Sequence, residues 1–474
     1  MKNNESSLCF LTIHEASKLI STGKISPVEL TKAFLNRIEK LDSTLRAYIT
    51  VLSEHALEEA INAEESIVKG DYKGPLHGIP IALKDIYWTK NVRTTANSRI
   101  LENWKPSENA TVVERLKKEG SVLLGKLNMS EFATLSPDDT SLFMPTKNPW
   151  DITRIPGGSS SGSGAAIASG LCMGSLGSDT AGSIRGPATL CGIVGLKPTY
   201  GLVSRHGVVP LSWTMDHCGP MTWTVEDAAI MLQAIAGYDS MDSTSSKLPI
   251  PNYSSSLGKS VTEITIGVPR QFLASLEKHI NKEVIYAFEE ALKVFKDLGA
   301  NIVDIEIPSI DYAKITGSTI WLSEAYTYHK KNLMLTPDSY GKVAKTLFRA
   351  GGLFSGGDYV QAQRMRSRIK KELQEIYKKV DLIVTPTYPS PAATFKESNP
   401  LDRIMSGINF SIIFNLSGQP AISIPVGFSA YGLPIGIQIA GRSFEEALVL
   451  RLAYAYQQQK TWFKIRPDLK KEEK

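Results

Sequence analysis

Between positions 157 and 187 the chain carries nine Gly and eight Ser in thirty-one residues, with only two charges, Asp179 and Arg185. Such a stretch is either a floppy spacer or a place where backbones touch, and the residues between the glycines tell the two apart. Here they are Ala165-Ala166-Ile167-Ala168, Leu171-Cys172-Met173 and Ile184, small and apolar enough to pack tightly. A spacer has no reason to end in Asp179-Thr180-Ala181-Gly182-Ser183-Ile184-Arg185. Without a Cβ, glycines let helix and strand approach closely and let several N–H groups converge on one point. Acyl-transfer enzymes need such a cluster of donors to hold a tetrahedral oxyanion.

The rest of the chain supplies an ordinary core. Of 474 residues, 42% are hydrophobic and 21% charged, which excludes disorder. A net charge of +5 with both signs interspersed argues against a nucleic-acid surface. Cys9, Cys172, Cys191 and Cys218 lie far apart and form no C-x-x-C pair, so they read as buried thiols in a reducing compartment. The first twenty residues lack the apolar run of a signal peptide, and the longest uncharged stretch, 155–178, is too rich in Gly and Ser to span a membrane. A cytoplasmic protein without membrane contact is expected. The seven histidines show neither H-x-x-x-H nor H-E-x-x-H spacing, so neither metal nor other cofactor is expected.

Helices open the chain. Thr12-x-x-Glu15 and Ser26-Pro27-Val28-Glu29 are capping-box patterns, and Leu30, Phe34, Ile38 and Leu41 form one apolar face after the second. Further helices are expected at 53–68 and 112–118, with a short buried strand at 121–124. The segment 264–307 reads strand (264–268), helix (280–298), strand (302–307), a unit that pairs its strands in parallel. Residues 421–426 and 435–439 flank a turn at Ser429-Ala430-Tyr431-Gly432, which predicts an antiparallel hairpin. With no repeat and no long linker, the expected fold is α/β: a single α/β/α domain over 8–466, its mixed central sheet flanked by helices, then a charged tail at 467–474.

Gly157-Gly-Ser-Ser-Ser-Gly162 followed by Asp179-Thr-Ala-Gly-Ser-Ile-Arg-Gly-Pro187 resembles the diagnostic stretch of the amidase signature family. Gly78-Ile-Pro-Ile-Ala-Leu-Lys-Asp85 looks like that family's lysine segment; Gly125-Lys-Leu-Asn128, Gly195-Leu-Lys-Pro-Thr199 and Gly418-Gln-Pro-Ala-Ile-Ser-Ile-Pro425 are also similar to it. The resemblance implies Ser183 as the acyl-forming nucleophile, Ser159 as a bridging serine after a cis peptide bond, and Lys84 as the base. It implies an oxyanion hole from the N–H groups of Thr180, Ala181, Gly182 and Ser183, with Asp179 and Arg185 in support. The substrate would be a small-molecule amide, hydrolysed to carboxylate and ammonia or amine. The chemistry fits the residue types. A serine hydroxyl needs a base, and a lysine at its ordinary pKa is neutral in only about 0.04% of molecules at pH 7. The pKa of Lys84 must therefore fall by about 2–3 pH units, and the apolar run Ile79-Pro-Ile-Ala-Leu83 can supply the desolvation.

Other readings compete. Gly158-Ser-Ser-Ser-Gly162 fits the G-x-S-x-G elbow of an α/β-hydrolase-like esterase, although the proline-bearing segment 148–156 before it makes a poor central strand. Asp216-His217 is the one adjacent pair that suits a Ser-His-Asp enzyme, and Lys84 could instead be a surface lysine paired with Asp85. Ser21-x-x-Lys24 and Ser256-x-x-Lys259 fit S-x-x-K in polar, turn-like surroundings. A non-catalytic binding protein on the same fold would be marked by loss of Ser183, Ser159 or Lys84, and all are present. Within the family the rival is the glutaminase-type A subunit of glutamyl-tRNA(Gln) amidotransferase, the one case in which a nucleic-acid partner is expected. Thr95-Ala-Asn-Ser-Arg-Ile-Leu-Glu-Asn103 resembles it. Two places depart: Glu131-Phe-Ala133 runs into Thr-Leu-Ser-Pro-Asp-Asp-Thr-Ser141, and Ile408 beside Asn409 stands where that subunit has an acidic residue. A free-standing amidase is therefore favoured, with pocket walls expected at 136–143 and 408–414. Asp138 or Asp139 could replace the missing carboxylate, and Arg366 could meet a substrate carboxylate.

Overall fold

The computed structural model describes residues 5–134, 137–398 and 409–469. Ile408, Ser136 and the tail residues 470–474 lie outside them. The expected helices form with their expected caps. Thr12 and Glu15 close a reciprocal box on the helix Ile13–Ser21, at 3.0 and 2.8 Å. Ser26 caps Pro27–Leu45 by accepting from the N–H groups of Val28 and Glu29, the serine half of the box. Ser53–Val68 and Thr111–Lys118 are helical as their patterns predict.

Eleven described strands make one mixed sheet: β1 (Tyr48–Val51), β2 (Pro80–Lys84), β3 (Val122–Leu127), β4 (Gly174–Asp179), β5 (Val194–Lys197), β6 (His217–Thr222), β7 (Thr265–Val268), β8 (Asn301–Asp304), β9 (Leu382–Pro386), β10 (Ala421–Phe428) and β11 (Pro434–Gly441). Their order is β1-β3-β2-β4-β6-β5-β10-β11-β9-β7-β8, with helices flanking the sheet. The strand-helix-strand unit is present: β7 and β8 pair in parallel around the helix Lys282–Asp297, although β8 stops at Asp304, short of the expected 307. β10 and β11 form the expected antiparallel hairpin, with a register shift between Pro425 and Gly427, where a missing N–H is tolerated.

The site is set by the middle of the sheet. β2 runs parallel to both β3 and β4, and every residue of these strands is buried. Lys84 and Asp179 therefore stand at the C-terminal ends of neighbouring parallel strands, the edge where open α/β sheets place their chemistry. β4, Gly-Ser-Leu-Gly-Ser-Asp, has no β-branched residue and carries no strand signal of its own. Its neighbours explain it. A Cβ at Gly177 would meet Ser160 Oγ at 2.9 Å and Ile184 Cγ1 at 3.0 Å, so the glycine is needed for the helix Ser161–Ala168 and the 180–184 loop to lie against the strand. β6 carries Pro220 opposite Leu176 in the sheet interior, a position that the sequence alone would deny to a strand.

Candidate active site

Lys84 is wholly buried, and its ammonium lies 2.7 Å from Ser159 Oγ and 2.8 Å from Ser178 Oγ. Burial drives its pKa down to about 7, against the pull of the Asp216 and Asp179 carboxylates in the other direction. This is the depression that the apolar segment before it implied. The surface pairing with Asp85 does not occur: Asp85 is also buried and is taken by the Thr95 N–H (2.8 Å), the Thr95 hydroxyl (2.5 Å) and the Lys126 ammonium (3.5 Å). Ser159 follows a cis peptide bond from Gly158.

Asp179 folds the loop after β4 around its own carboxylate. Oδ1 accepts from Gly182 N–H at 2.7 Å and Oδ2 from Ile184 N–H at 3.1 Å. Arg185 closes the arrangement from below, donating to both oxygens at 3.0 Å. Its remaining donors go to Gln438 Oε1 (2.8 Å) and Asn415 Oδ1 (2.6 Å), so a fully buried guanidinium has a partner on every side. Burial, the largest single influence, would raise the Asp179 pKa; the charge and hydrogen bonds of Arg185, the Lys197 charge and the Asn415 hydrogen bond together outweigh it and hold the carboxyl well below the usual range. Two further side chains pin the loop. Asp216 Oδ1 accepts from Thr180 Oγ1 at 2.6 Å, and Asn409 Nδ2 donates to Ala181 O at 2.9 Å. Gly182 N–H being committed to Asp179, three of the four expected oxyanion donors remain: Thr180, Ala181 and Ser183.

Ser183 sits at the end of this loop beside a cavity of about 230 Å³ that Ala181, Gly182, Trp321, Tyr388, Asn409 and Ile412 also line. Its carbonyl accepts from Ser160 N–H at 3.3 Å, which ties the two serine segments together. The hydrolase elbow does not form. Turns and an Asn148–Asp151 bridge precede Ser160 in place of a strand, and its hydroxyl is folded back on Ser178, to N and O at 3.3 Å each. His217 is no general base either. Its Nδ1 faces the carbonyls of Met215 (2.6 Å) and Asp179 (3.2 Å), so it must be the protonated nitrogen, and burial holds the ring pKa well below its ordinary value. Asp216 is turned away from His217, to Thr180 and the N–H groups of Leu211 and Ser212.

Several expected wall residues are elsewhere. Arg366 donates to Leu416 O (2.7 Å) and Thr214 O (2.8 Å) and lines a separate groove with Tyr200 and Gln363. Asp138 accepts from Val343 N–H at 2.8 Å and holds the start of the helix Lys342–Gly351. Conversely, Ser178, Asn415 and Gln438 were not singled out from the sequence as site residues, and Asp216 only as a partner for His217. Ser178 had a signal, adjacency to Asp179 inside the motif; the others had none, because their partners in the site lie 36 to 253 residues away. Among the described residues no group of His, Cys, Asp or Glu could hold a metal ion, and no helix is long and apolar enough to cross a membrane.

Comparison with known proteins shows the family and the fold. The amidase family model matches residues 29–450. The chain is 42% identical to the glutamyl-tRNA(Gln) amidotransferase A subunit of Geobacter sp. (strain M21), over 95% of this chain and 98% of that one. The crystal structure of the corresponding Thermotoga maritima protein is similar at a TM-score of 0.79 and 35% identity, covering 99% of this chain and 98% of the other. The native peptide amidase of Stenotrophomonas maltophilia is similar at 0.83 and 30%, covering 97% and 98%. Matched along most of its length, this chain belongs to the amidase signature family, whose members are hydrolases of the amide C–N bond.

Proposed function

We propose that the chain hydrolyses a small carboxamide through an acyl-enzyme on Ser183. The observation that carries this is the buried Lys84 in contact with Ser159, its pKa drawn down to about 7. Neutral Lys84 accepts a proton through Ser159 as Ser183 Oγ attacks the amide carbonyl. The N–H groups of Thr180, Ala181 and Ser183 receive the negative charge that develops on the carbonyl oxygen. Lys84, now an ammonium, returns the proton through Ser159 to the leaving nitrogen, without which an amine cannot depart. Water then enters, gives its proton to the same relay and releases the acid.

We infer further that this amidase releases ammonia as the glutaminase-type component of an amidotransferase, with glutamine as the amide donor. The support is the identity of 40–43% to eight amidotransferase relatives of the same kind, across 94–98% of this chain. It outweighs the two local departures that favoured a free-standing enzyme, one of which, at Ile408, lies outside the described residues. Ammonia release from glutamine and from neutral aliphatic amides, with and without the partner subunits and glutamyl-tRNA, decides between the two. Faster turnover of neutral amides by the single chain would return the free-standing reading. A fluorophosphonate adduct that persists in Ser183→Ala, or that maps to Ser160, would overturn the nucleophile itself.

A further inference from the structure

Among the described residues around the Ser183 cavity, two carry charge, Lys314 and Glu397. They are not equivalent. Glu397 is exposed and already satisfied: the Thr394 N–H donates to it at 3.0 Å and the Thr394 hydroxyl at 2.9 Å, and these bonds hold its pKa below the ordinary value. Lys314 is half-buried, and among the described residues no carboxylate or carbonyl receives its ammonium. Burial lowers its pKa and no neighbouring anion raises it.

Position makes this more pointed. Lys314 is the second residue of the helix Ala313–Leu335, and Ser318 and Trp321 follow at i+4 and i+7. All three line the cavity, so one helix face supplies that wall. A cation in the first turn lies at the positive end of the helix dipole, where it is disfavoured. Dipole and lysine together give this wall a positive potential; Glu397 is the one described anion on the cavity, Asp311 lines an adjoining one with Lys314, and neither is paired with the Lys314 ammonium. Arg366, the cation expected there, is spent on Leu416 O and Thr214 O.

We propose that Lys314 receives a carboxylate on the substrate, so that the amide hydrolysed here is the carboxamide end of a short anionic acid. At about 230 Å³ the cavity is below the size that holds drug-sized ligands, which restricts the chain to a few carbons. The carboxylate takes the free ammonium, and the amide end is thereby directed along the helix face toward Ser183. Glutamine belongs to this class, and so does any ω-carboxamide of a short dicarboxylic acid. The inference rests on Ser183 as the nucleophile, and the test separates the two.

The test uses the full chain, with its partner subunits where turnover requires them. kcat/KM is measured for glutaramate and for its uncharged counterpart pentanamide in wild type, Lys314→Gln and Lys314→Arg, with thermal melts to verify folding. Wild type is expected to prefer glutaramate by about tenfold or more, the worth of one charge-assisted hydrogen bond, mainly through KM. Lys314→Gln should erase that preference, and Lys314→Arg should keep most of it. Added salt should raise the wild-type KM for glutaramate and leave that for pentanamide unchanged. As a readout independent of turnover, glutarate should protect Ser183 from fluorophosphonate in wild type and lose that effect in Lys314→Gln. Equal handling of the two amides by wild type, or a preference that survives Lys314→Gln, overturns the proposal. Absence of any adduct on Ser183 would instead strike the nucleophile assignment.

Discussion

Lys84 is the residue on which the site turns, because only its neutral form can accept a proton. With a pKa of about 7, the neutral fraction is about half at pH 7 and falls about tenfold for each pH unit below. The expected profile of kcat/KM is therefore an acid limb of slope one bending near pH 7, and Lys84→Ala should lose several orders of magnitude across the whole range. A limb that bends near 10, or a variant with near-normal turnover, would contradict the assignment. The same displacement has a thermodynamic side. Between about pH 7 and 10.5 the folded lysine is neutral and the unfolded one charged, so folding releases a proton and becomes more favourable as pH rises. Below about 7 the full penalty of the buried charge is present. The stability difference between Lys84→Met and wild type should thus be flat in acid and shift in favour of wild type from pH 7 to 10, which paired urea melts at stepped pH would reveal. Much of this was legible in the sequence: Lys84 after an apolar run, Ser159 and Ser183 in their motifs. The hydroxyl of Ser178 was marked only by its adjacency to Asp179; its contact with Lys84 spans 94 residues and depends on β2 and β4 lying side by side.

At the scale of an element, the unit is the turn from β4 into the helix Arg185–Cys191, wound on the Asp179–Arg185 pair. Both side chains are fully buried. Asp179→Ala would leave Arg185 charged and unpaired, at a cost of about 3–5 kcal/mol, and would free Gly182 and Ile184 from their clamp. Asp179→Leu combined with Arg185→Met should be less destabilising than the sum of the single changes, while both single variants and the double are inactive. A double variant as unstable as the sum would mean that the pair is not one unit. The pH dependence follows from the depressed Asp179 pKa: its contribution is present above the ordinary carboxylate pKa of about 3.9 and is lost only as pH falls below it. Asp179 and Arg185 were readable as supporting residues because they are the only charges in a Gly/Ser stretch. Their outer partners, Asn415 and Gln438, were not. Sequence pattern reports local period and turn chemistry, whereas these contacts follow from which strands become neighbours. The same limit hid β4, whose glycines read as spacer or turn until the helix packed on them is seen.

Within the sheet the two halves meet at one seam, the antiparallel pairing of β5 with β10, which links the strands up to residue 222 to those beyond residue 264. The site straddles that seam. Lys84, Ser159 and Ser183 come from one side; Lys314, Trp321, Asn409 and Asn415 come from the other. Arg185 binds across it to Asn415 and Gln438, with no water-exposed edge between. A sheet continued through buried strands, with a buried guanidinium hydrogen-bonded across the joint, gives neither half a surface on which to stop unfolding. Three probes should then lose signal at one midpoint in urea: far-UV circular dichroism, tryptophan fluorescence, and fluorophosphonate labelling of Ser183. Trp462, against Phe428, reports on the C-terminal side and Trp88, edge to face with Trp104, on the N-terminal side, so single-tryptophan variants can separate the two. Labelling of Ser183 that disappears well before the N-terminal tryptophan responds would show the opposite. The strands after residue 264 would then open as a separate unit, and the nucleophile would depend on a wall that leaves first.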